Sequence, residues 1–247
     1  MSKAGMTFLV VTTLHFALGC QSPKRADSTP VRQEPARGTP SVQTRESQAA
    51  ITPKEALAML KEGNARFVAG RPNARNLPAK VRATASGQYP FAVILSCLDS
   101  RQPVELIFDQ CIGDVFNARV AGNVLNDDIL GSLEFACKVS GARLILVLGH
   151  SNCGAVKGAI DRVELGHLTG LLDRIKPAIA AVPADVQPRD SKNAEFVQKV
   201  ADANVHLVMQ QIRQRSPILR EMLDQHQIGL VGGMYDLATG QVSFFSE

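Results

Sequence analysis

The sequence predicts an α/β domain built on a mostly parallel central β-sheet flanked by helices. Three observations carry that expectation. Two runs, Phe91-Ala92-Val93-Ile94-Leu95 and Leu144-Ile145-Leu146-Val147-Leu148, are continuously apolar, as strands covered on both faces must be. Segments with apolar residues at helical spacing alternate with them, the order that a parallel sheet with crossover helices requires. Each run also ends just before a cluster of polar residues, and strand carboxyl ends are where open α/β sheets bind ligands.

Taken in order, the domain opens at Thr52-Pro53-Lys54-Glu55, a capping box with proline at the first helical position. Ala56, Leu57, Met59, Leu60, Phe67 and Val68 continue that helix. A polar, proline-containing stretch then leads to the first strand, which Pro90 bounds. Residues 103–109 predict a short helix, Val115 to Val120 a strand, and Asp127 to Val139 a helix stopped at Gly141. The second apolar strand, Arg143 to Leu148, is followed by a turn with His150 and Cys153 and by a helix from Gly154 to Ile160. Leu171 to Val182, Lys192 to Arg213 and Ile218 to Gln225 read as helices, and Ile228 to Tyr235 with Val242 to Phe245 as a closing strand pair. No internal repeat at a fixed period is present.

The 247 residues, 45% hydrophobic with a formal charge of +4, suit one core-forming domain of roughly 200 residues plus an extension. Trp is absent and no basic run is interleaved with aromatics, which argues against a nucleic-acid partner. Residues 1–20 read as an export signal, because residues 6–19 are apolar behind Lys3 yet short for a bilayer span. They end in Ala17-Leu18-Gly19-Cys20, which resembles a bacterial lipobox. A lipidated Cys20 would anchor the protein to a membrane as a periplasmic or cell-envelope lipoprotein; simple secretion and a cytoplasmic chain with an uncleaved start are the alternatives. Residues 21–50, rich in Pro, Ser, Thr, Gln and Arg, predict a flexible tether, and residues 51–247 the folded domain. Cys111 and Cys137 lie beside apolar residues and are expected as unpaired core thiols rather than a disulfide.

The chemistry concentrates in two short motifs. Cys97, Asp99 and Arg101 alternate after the first strand, and His150-Ser151-Asn152-Cys153 follows the second. Two thiolates and one imidazole are soft enough for Zn²⁺ and one ligand short of a closed tetrahedron. The spare position suits a reactive water, or Asp99 in a purely structural site, in which case the protein is a zinc-dependent scaffold without turnover. Cys97 as a nucleophile for phosphate or sulfur transfer beside Arg101 would leave His150 and Cys153 idle. Glycines 113, 122, 131, 141 and 149 suit turns, since no phosphate-loop spacing follows a strand.

These motifs stand in a longer series: Gln88 and Pro90, Cys97-Leu98-Asp99-Ser100-Arg101, Gly113-Asp114-Val115-Phe116, Ala121-Gly122-Asn123, Gly131-Ser132-Leu133-Glu134-Phe135-Ala136, and Gly149-His150-Ser151-Asn152-Cys153-Gly154-Ala155-Val156. In that order, over roughly residues 52–246, the chain resembles a beta-class carbonic anhydrase. The resemblance implies that family's fold, with one Zn²⁺ per chain on Cys97, His150 and Cys153. It implies reversible hydration of carbon dioxide to bicarbonate and a proton by hydroxide formed on the metal. Asp99, paired with Arg101, would orient that hydroxide, and Gln88 would orient carbon dioxide or bicarbonate.

Phe116 and Val120 would line the substrate wall, and Gly154 would leave room beside the metal. The resemblance further implies a homodimer or a tetramer of dimers, with the opening helix embracing its partner and the cleft at the dimer seam. Two residues depart from the family pattern: Asn117 stands where an apolar residue is expected, and Phe135 where many relatives have Tyr. Two thiolates put more negative charge on the metal than three imidazoles would, so activity is expected to favour alkaline pH. Buffer, His167 or Tyr235 could carry the proton away. Hydrolysis of carbon disulfide or carbonyl sulfide by the same hydroxide is the nearest rival activity.

Overall fold

In the computed structural model, which describes residues 42–245, the apolar runs become neighbouring strands of one sheet. Its strands are β1 (Ala92–Ser96), β2 (Val115–Arg119), β3 (Leu144–His150), β4 (Gly229–Tyr235) and β5 (Val242–Phe244), in the order β2-β1-β3-β4-β5. All neighbours run parallel except β4 with β5, so the mostly parallel sheet with its antiparallel closing pair is as the sequence predicts.

Burial on both faces explains the unbroken apolar sequence of β3. Leu144, Leu146 and Leu148 pack with Ala92, Ile94, Ala56 and Leu60 on one side. On the other, Ile145 and Val147 join Val93, Leu95, Val205 and Val208. The chain leaves β1 for β2 on one flank and then crosses to β3 on the opposite flank. The carboxyl ends of β1 and β3 therefore meet at a topological switch point, where an α/β sheet opens a crevice.

The helices are α1 (Arg45–Ala50), α2 (Pro53–Val68), α3 (Leu77–Thr84), α4 (Val104–Ile107), α5 (Asp127–Glu134), α6 (Gly154–Ile160), α7 (Gly166–Asp173), α8 (Lys176–Ala181), α9 (Ala194–Arg215) and α10 (Pro217–Asp224). The predicted capping box forms reciprocally: Thr52 Oγ1 accepts the Glu55 amide, and Glu55 Oε2 accepts the Thr52 amide at 2.8 Å. Helix α9 starts at an Asn193 cap and lays Phe196, Val197, Val200, Ala201, Val205, Val208 and Ile212 against the sheet.

Several expectations need correction. The flexible tether predicted over residues 21–50 does not hold for its last part, because Arg45–Ala50 form α1. Gln48 pins it: its buried Nε2 donates to Pro90 O at 2.7 Å and to Ser140 O at 2.8 Å. The polar stretch before β1 contains α3, capped by Asn76. The single helix expected from Leu171 to Val182 is two, because Pro177 cannot donate within a continuous helix and instead occupies the first turn of α8. The helix from Asp127 widens after Glu134 into a π-turn, with Ser140 N–H reaching Phe135 O at 3.0 Å.

Asn117 is exposed on the edge strand β2, so no apolar residue is needed there within one chain. Cys137 is buried but Cys111 only half-buried, and all four described cysteines are free. No described helix is long and apolar enough to cross a membrane. The expected export signal with Cys20, and the expected tether up to residue 41, lie outside the described residues.

Gln48→Ala should strand the Pro90 and Ser140 carbonyls and lower the unfolding free energy by about 1–3 kcal/mol. In urea denaturation the midpoint should fall with the slope unchanged.

Candidate metal centre

β1 runs out at Ser96, and Cys97 follows in the crevice; β3 runs out at His150. Asn152, at φ 58°, then reverses the chain so that Cys153 caps α6, and asparagine is among the few residues that adopt this left-handed conformation readily. The ligand atoms of Cys97, His150 and Cys153 lie within 4.8 Å of one another, and all three residues are buried. Tetrahedral coordination at zinc bond lengths separates ligand atoms by about 3.8 Å, so small side-chain adjustments close this set on an ion.

The histidine is already in the tautomer that a metal needs. Its Nδ1 lies 3.0 Å from Ser151 O, and a carbonyl can only accept, so Nδ1 carries the proton. The Nε2 lone pair is left buried with no hydrogen-bond partner. An orphaned buried acceptor beside two buried thiols is costly unless a ligand meets it, and this donor set fits a soft divalent ion.

Around the ligands, Arg101 grips Asp99 through Nη2 to Oδ2 at 2.7 Å and Nε to Oδ1 at 2.9 Å. The same Oδ2 lies 3.9 Å from His150 Nε2. Arg119 reaches across from β2 to Cys97 O at 3.0 Å and to Asp99 O at 2.5 Å. Gly122 N–H donates to Cys97 Sγ at 3.3 Å from a turn at φ +65°, and any Cβ there would meet Ile175 Cδ1 at 2.8 Å. Asn204, buried on α9, holds that turn by donating to Gly122 O at 2.8 Å.

The charges follow from these contacts. The Arg101 guanidinium holds the Asp99 carboxyl far below the usual carboxylate range, against the opposing effect of burial. The Cys153 thiol beside it and the backbone amides of Asp99 and Gly122 favour the Cys97 thiolate against the opposing effect of burial. Cys153 moves the other way, because the neighbouring Cys97 and burial both favour its protonated form. Between them the two cysteines thus keep one proton in the metal-free protein.

Val120 is held close to the ligand loop, its amide donating at 3.1 Å to the carbonyl of Ser96, the residue before Cys97. Gly154 is exposed, and a Cβ at that position would meet nothing within 4 Å, so that side is open. Phe116 pairs in register with Val93, packs against the cluster containing Cys97 and meets Phe135 edge-on at 6.4 Å. Gln88 is not brought in. It is exposed ahead of β1, and the run from Ala92 to Cys97 alone spans about 16 Å of extended chain. Tyr235 is buried beside His150 in the sheet register, and burial raises its pKa, which makes it a poor proton carrier near neutral pH; His167 lies exposed on α7.

Known proteins resemble this chain in sequence and fold. The sequence profile of the carbonic anhydrase family matches residues 92–242. Carbonic anhydrase 2 of Mycobacterium tuberculosis is 39% identical over 195 residues, covering 76% of this chain and 91% of its own. The chain belongs to the beta-class carbonic anhydrases. A carbonic anhydrase of Mycolicibacterium smegmatis is 37% identical over 202 residues, covering 79% of this chain and 94% of its own. The crystal structure of the beta-carbonic anhydrase CafA of Aspergillus fumigatus superposes with a TM-score of 0.63 at 27% identity, covering 78% of this chain and 90% of that one. A beta-carbonic anhydrase of Sordaria macrospora, described as tetrameric, shares the fold with a TM-score of 0.60 at 24% identity, over 69% of this chain and 87% of that one.

In this carbonic anhydrase, Gln102, Arg119 and Asn204 are site residues that sequence reasoning missed. Asn204 left one signal, a carboxamide among the small and branched apolar residues of the stripe through Val200, Ala201, Val205 and Val208. Gln102 and Arg119 left none, since both look like ordinary surface polar residues.

Because Cys97 is already ionised and Cys153 is not, metal uptake at pH 7 should release about one proton, and affinity should fall as pH drops. Calorimetric titration of metal into the metal-free protein, in buffers of different ionisation enthalpy, measures that number. Cys137, which burial pushes up to about 12, should resist iodoacetamide at pH 8 while half-buried Cys111 reacts, as peptide mass mapping reads.

Proposed function

We propose that the chain hydrates carbon dioxide reversibly to bicarbonate with one zinc ion per chain, held by Cys97, His150 and Cys153. The observation that carries this reading is the buried, unpartnered His150 Nε2 between two thiols at the switch point of the sheet. When bound, zinc supplies the Lewis acidity that lets water ionise near neutral pH.

The rest of the work falls to side chains. Two parallel bonds from Arg101 keep Asp99 ionised and fix its plane, so Oδ2 faces the cradle purely as an acceptor. An acceptor there would take a hydrogen bond from the attacking oxygen, without removing its proton, and so orient that oxygen's lone pair toward the carbon. Val120 and Phe116 offer an apolar wall for the gas, and the open side at Gly154 admits it.

Substrate orientation by Gln88 requires a second copy, because one chain holds Gln88 at the opposite end of β1 from its own ligands. We assign the partner subunit's Gln88 to this cleft in a homodimer, which a tetramer of dimers would repeat. Leu98, Leu106, Phe135 and Val139, all well exposed on segments bordering β2, support an apolar seam there. Residues 6–20 support export with lipid on Cys20. Mass spectrometry of the mature N-terminus tests that: a chain still starting at an unmodified Met1 would overturn it.

Stopped-flow hydration by the full chain at pH 7 and pH 8.5, with zinc measured on the same sample, tests the activity. The expected result is about one zinc per chain, with faster turnover at pH 8.5 that chelation abolishes. Asp99 is ionised throughout that window, so the rise cannot come from its titration. One zinc per chain with no hydration at either pH would overturn the reading. Asp99→Asn should keep the zinc and lower kcat about 100-fold, whereas Cys153→Ser should lose the metal as well. Equal zinc loss in both variants would make Asp99 a ligand instead.

A further inference from the structure

We propose that Gln102 is a positioning residue that sets the span of the metal centre, a role that rests on the zinc reading above. Its side chain is fully buried and both ends of its amide are used. Oε1 accepts the Cys97 amide at 3.2 Å, and Nε2 donates to Gly149 O at 3.1 Å, with a longer contact to Leu148 O at 3.4 Å. One planar group thus ties the residue bearing the first thiolate to the residue immediately before His150.

The place of this bridge explains why it is needed. The parallel ladder between β1 and β3 ends with Ser96 opposite Leu148. Every metal ligand lies beyond that pair, so the backbone no longer fixes the distance between the two ligand-bearing segments. Cys97 and Gly149 would form the next step of the ladder, and the Gln102 amide supplies the connection that the backbone does not. Gln102 also closes the turn that presents Asp99 and Arg101, its own N–H donating to Asp99 O at 3.0 Å.

The two ends of the bridge are not equally free to move. A Cβ on Gly149 would meet Met234 Sδ at 2.5 Å and Val205 Cγ2 at 2.8 Å, so the β3 side is wedged between β4 and α9. Gly149 is therefore the fixed post, and Gln102 locates Cys97 relative to it. The role requires an acceptor and a donor on one rigid plane. A carboxylate at this position accepts only, an ammonium donates only, and an apolar side chain leaves the buried Cys97 amide without its partner.

Gln102→Met removes both ends of the amide at nearly constant length, and Gln102→Glu keeps the acceptor while losing the donor. The readouts are zinc affinity by chelator competition, the visible spectrum of the cobalt-substituted protein, and circular dichroism of the metal-free form. Both variants are expected to hold zinc at least tenfold more weakly than the unsubstituted chain. Their cobalt bands should shift in position or intensity, while the metal-free circular dichroism stays unchanged. A folded Gln102→Met with unaltered affinity and cobalt spectrum would overturn the role and leave Gln102 as core packing. If Gln102→Met does not fold, the same two results in Gln102→Glu decide in the same way. An unsubstituted chain that takes up neither zinc nor cobalt would overturn the metal reading itself, and the positioning role with it.

Discussion

The register of β1 against β3 is the constraint on which the metal centre depends. Side chains alternate faces along a strand, so a slip of one residue in either partner would turn its whole apolar set toward the wrong layer. That register is heavily determined: Leu144, Leu146 and Leu148 serve one layer, and Ile145 and Val147 the other, all fully buried. The same packing that fixes the core therefore delivers Cys97 and His150 to one end of the sheet. The site needs little of its own stabilisation, because its coarse geometry is inherited from hydrophobic burial.

Fine geometry is a different matter, since the ladder stops before the ligands begin. Groups from four directions finish the job: the side chains of Gln102 from the ligand loop itself, Arg119 from β2 and Asn204 from α9, and the backbone N–H of the Gly122 turn. Two of these four are neutral carboxamides. Charge is already concentrated at the site, with an ionised Asp99 and a Cys97 thiolate, and Arg101 and Arg119 lie against the loop that carries them. Neutral bridges brace the deeper contacts without adding another buried ion, whose desolvation would have to be recovered elsewhere.

What the sequence revealed follows from the length scale of each signal. The two central strands were legible because double-sided burial leaves an unbroken apolar run, and α2 because its capping box is written in adjacent residues. Helix α1 was not: one carboxamide, Gln48, anchors it, and a polar composition with a single buried residue looks like a tether. Pro177 marked the division between α7 and α8, but proline in a first turn and proline inside a helix look alike until the chain before it is seen. The metal ligands were readable as motifs. Gln102 and Asn204 were not, since their partners are backbone atoms, Gly149 O and Gly122 O, that have no sequence identity.

Gln88 shows where motif reading and single-chain geometry part. The motif puts it in the substrate site, while β1 carries it to the end opposite Cys97, so both statements hold only if the cleft is shared between copies. Metal binding would then be a property of one chain, set by groups that are all intramolecular, and substrate orientation a property of the pair. The exposed edge strand β2 and the uncovered Leu98 and Leu106 would then lie on the boundary between those two levels. Asn117 belongs there as well: on an exposed edge a polar side chain disfavours indiscriminate strand pairing, leaving shape and apolar contact to select the partner.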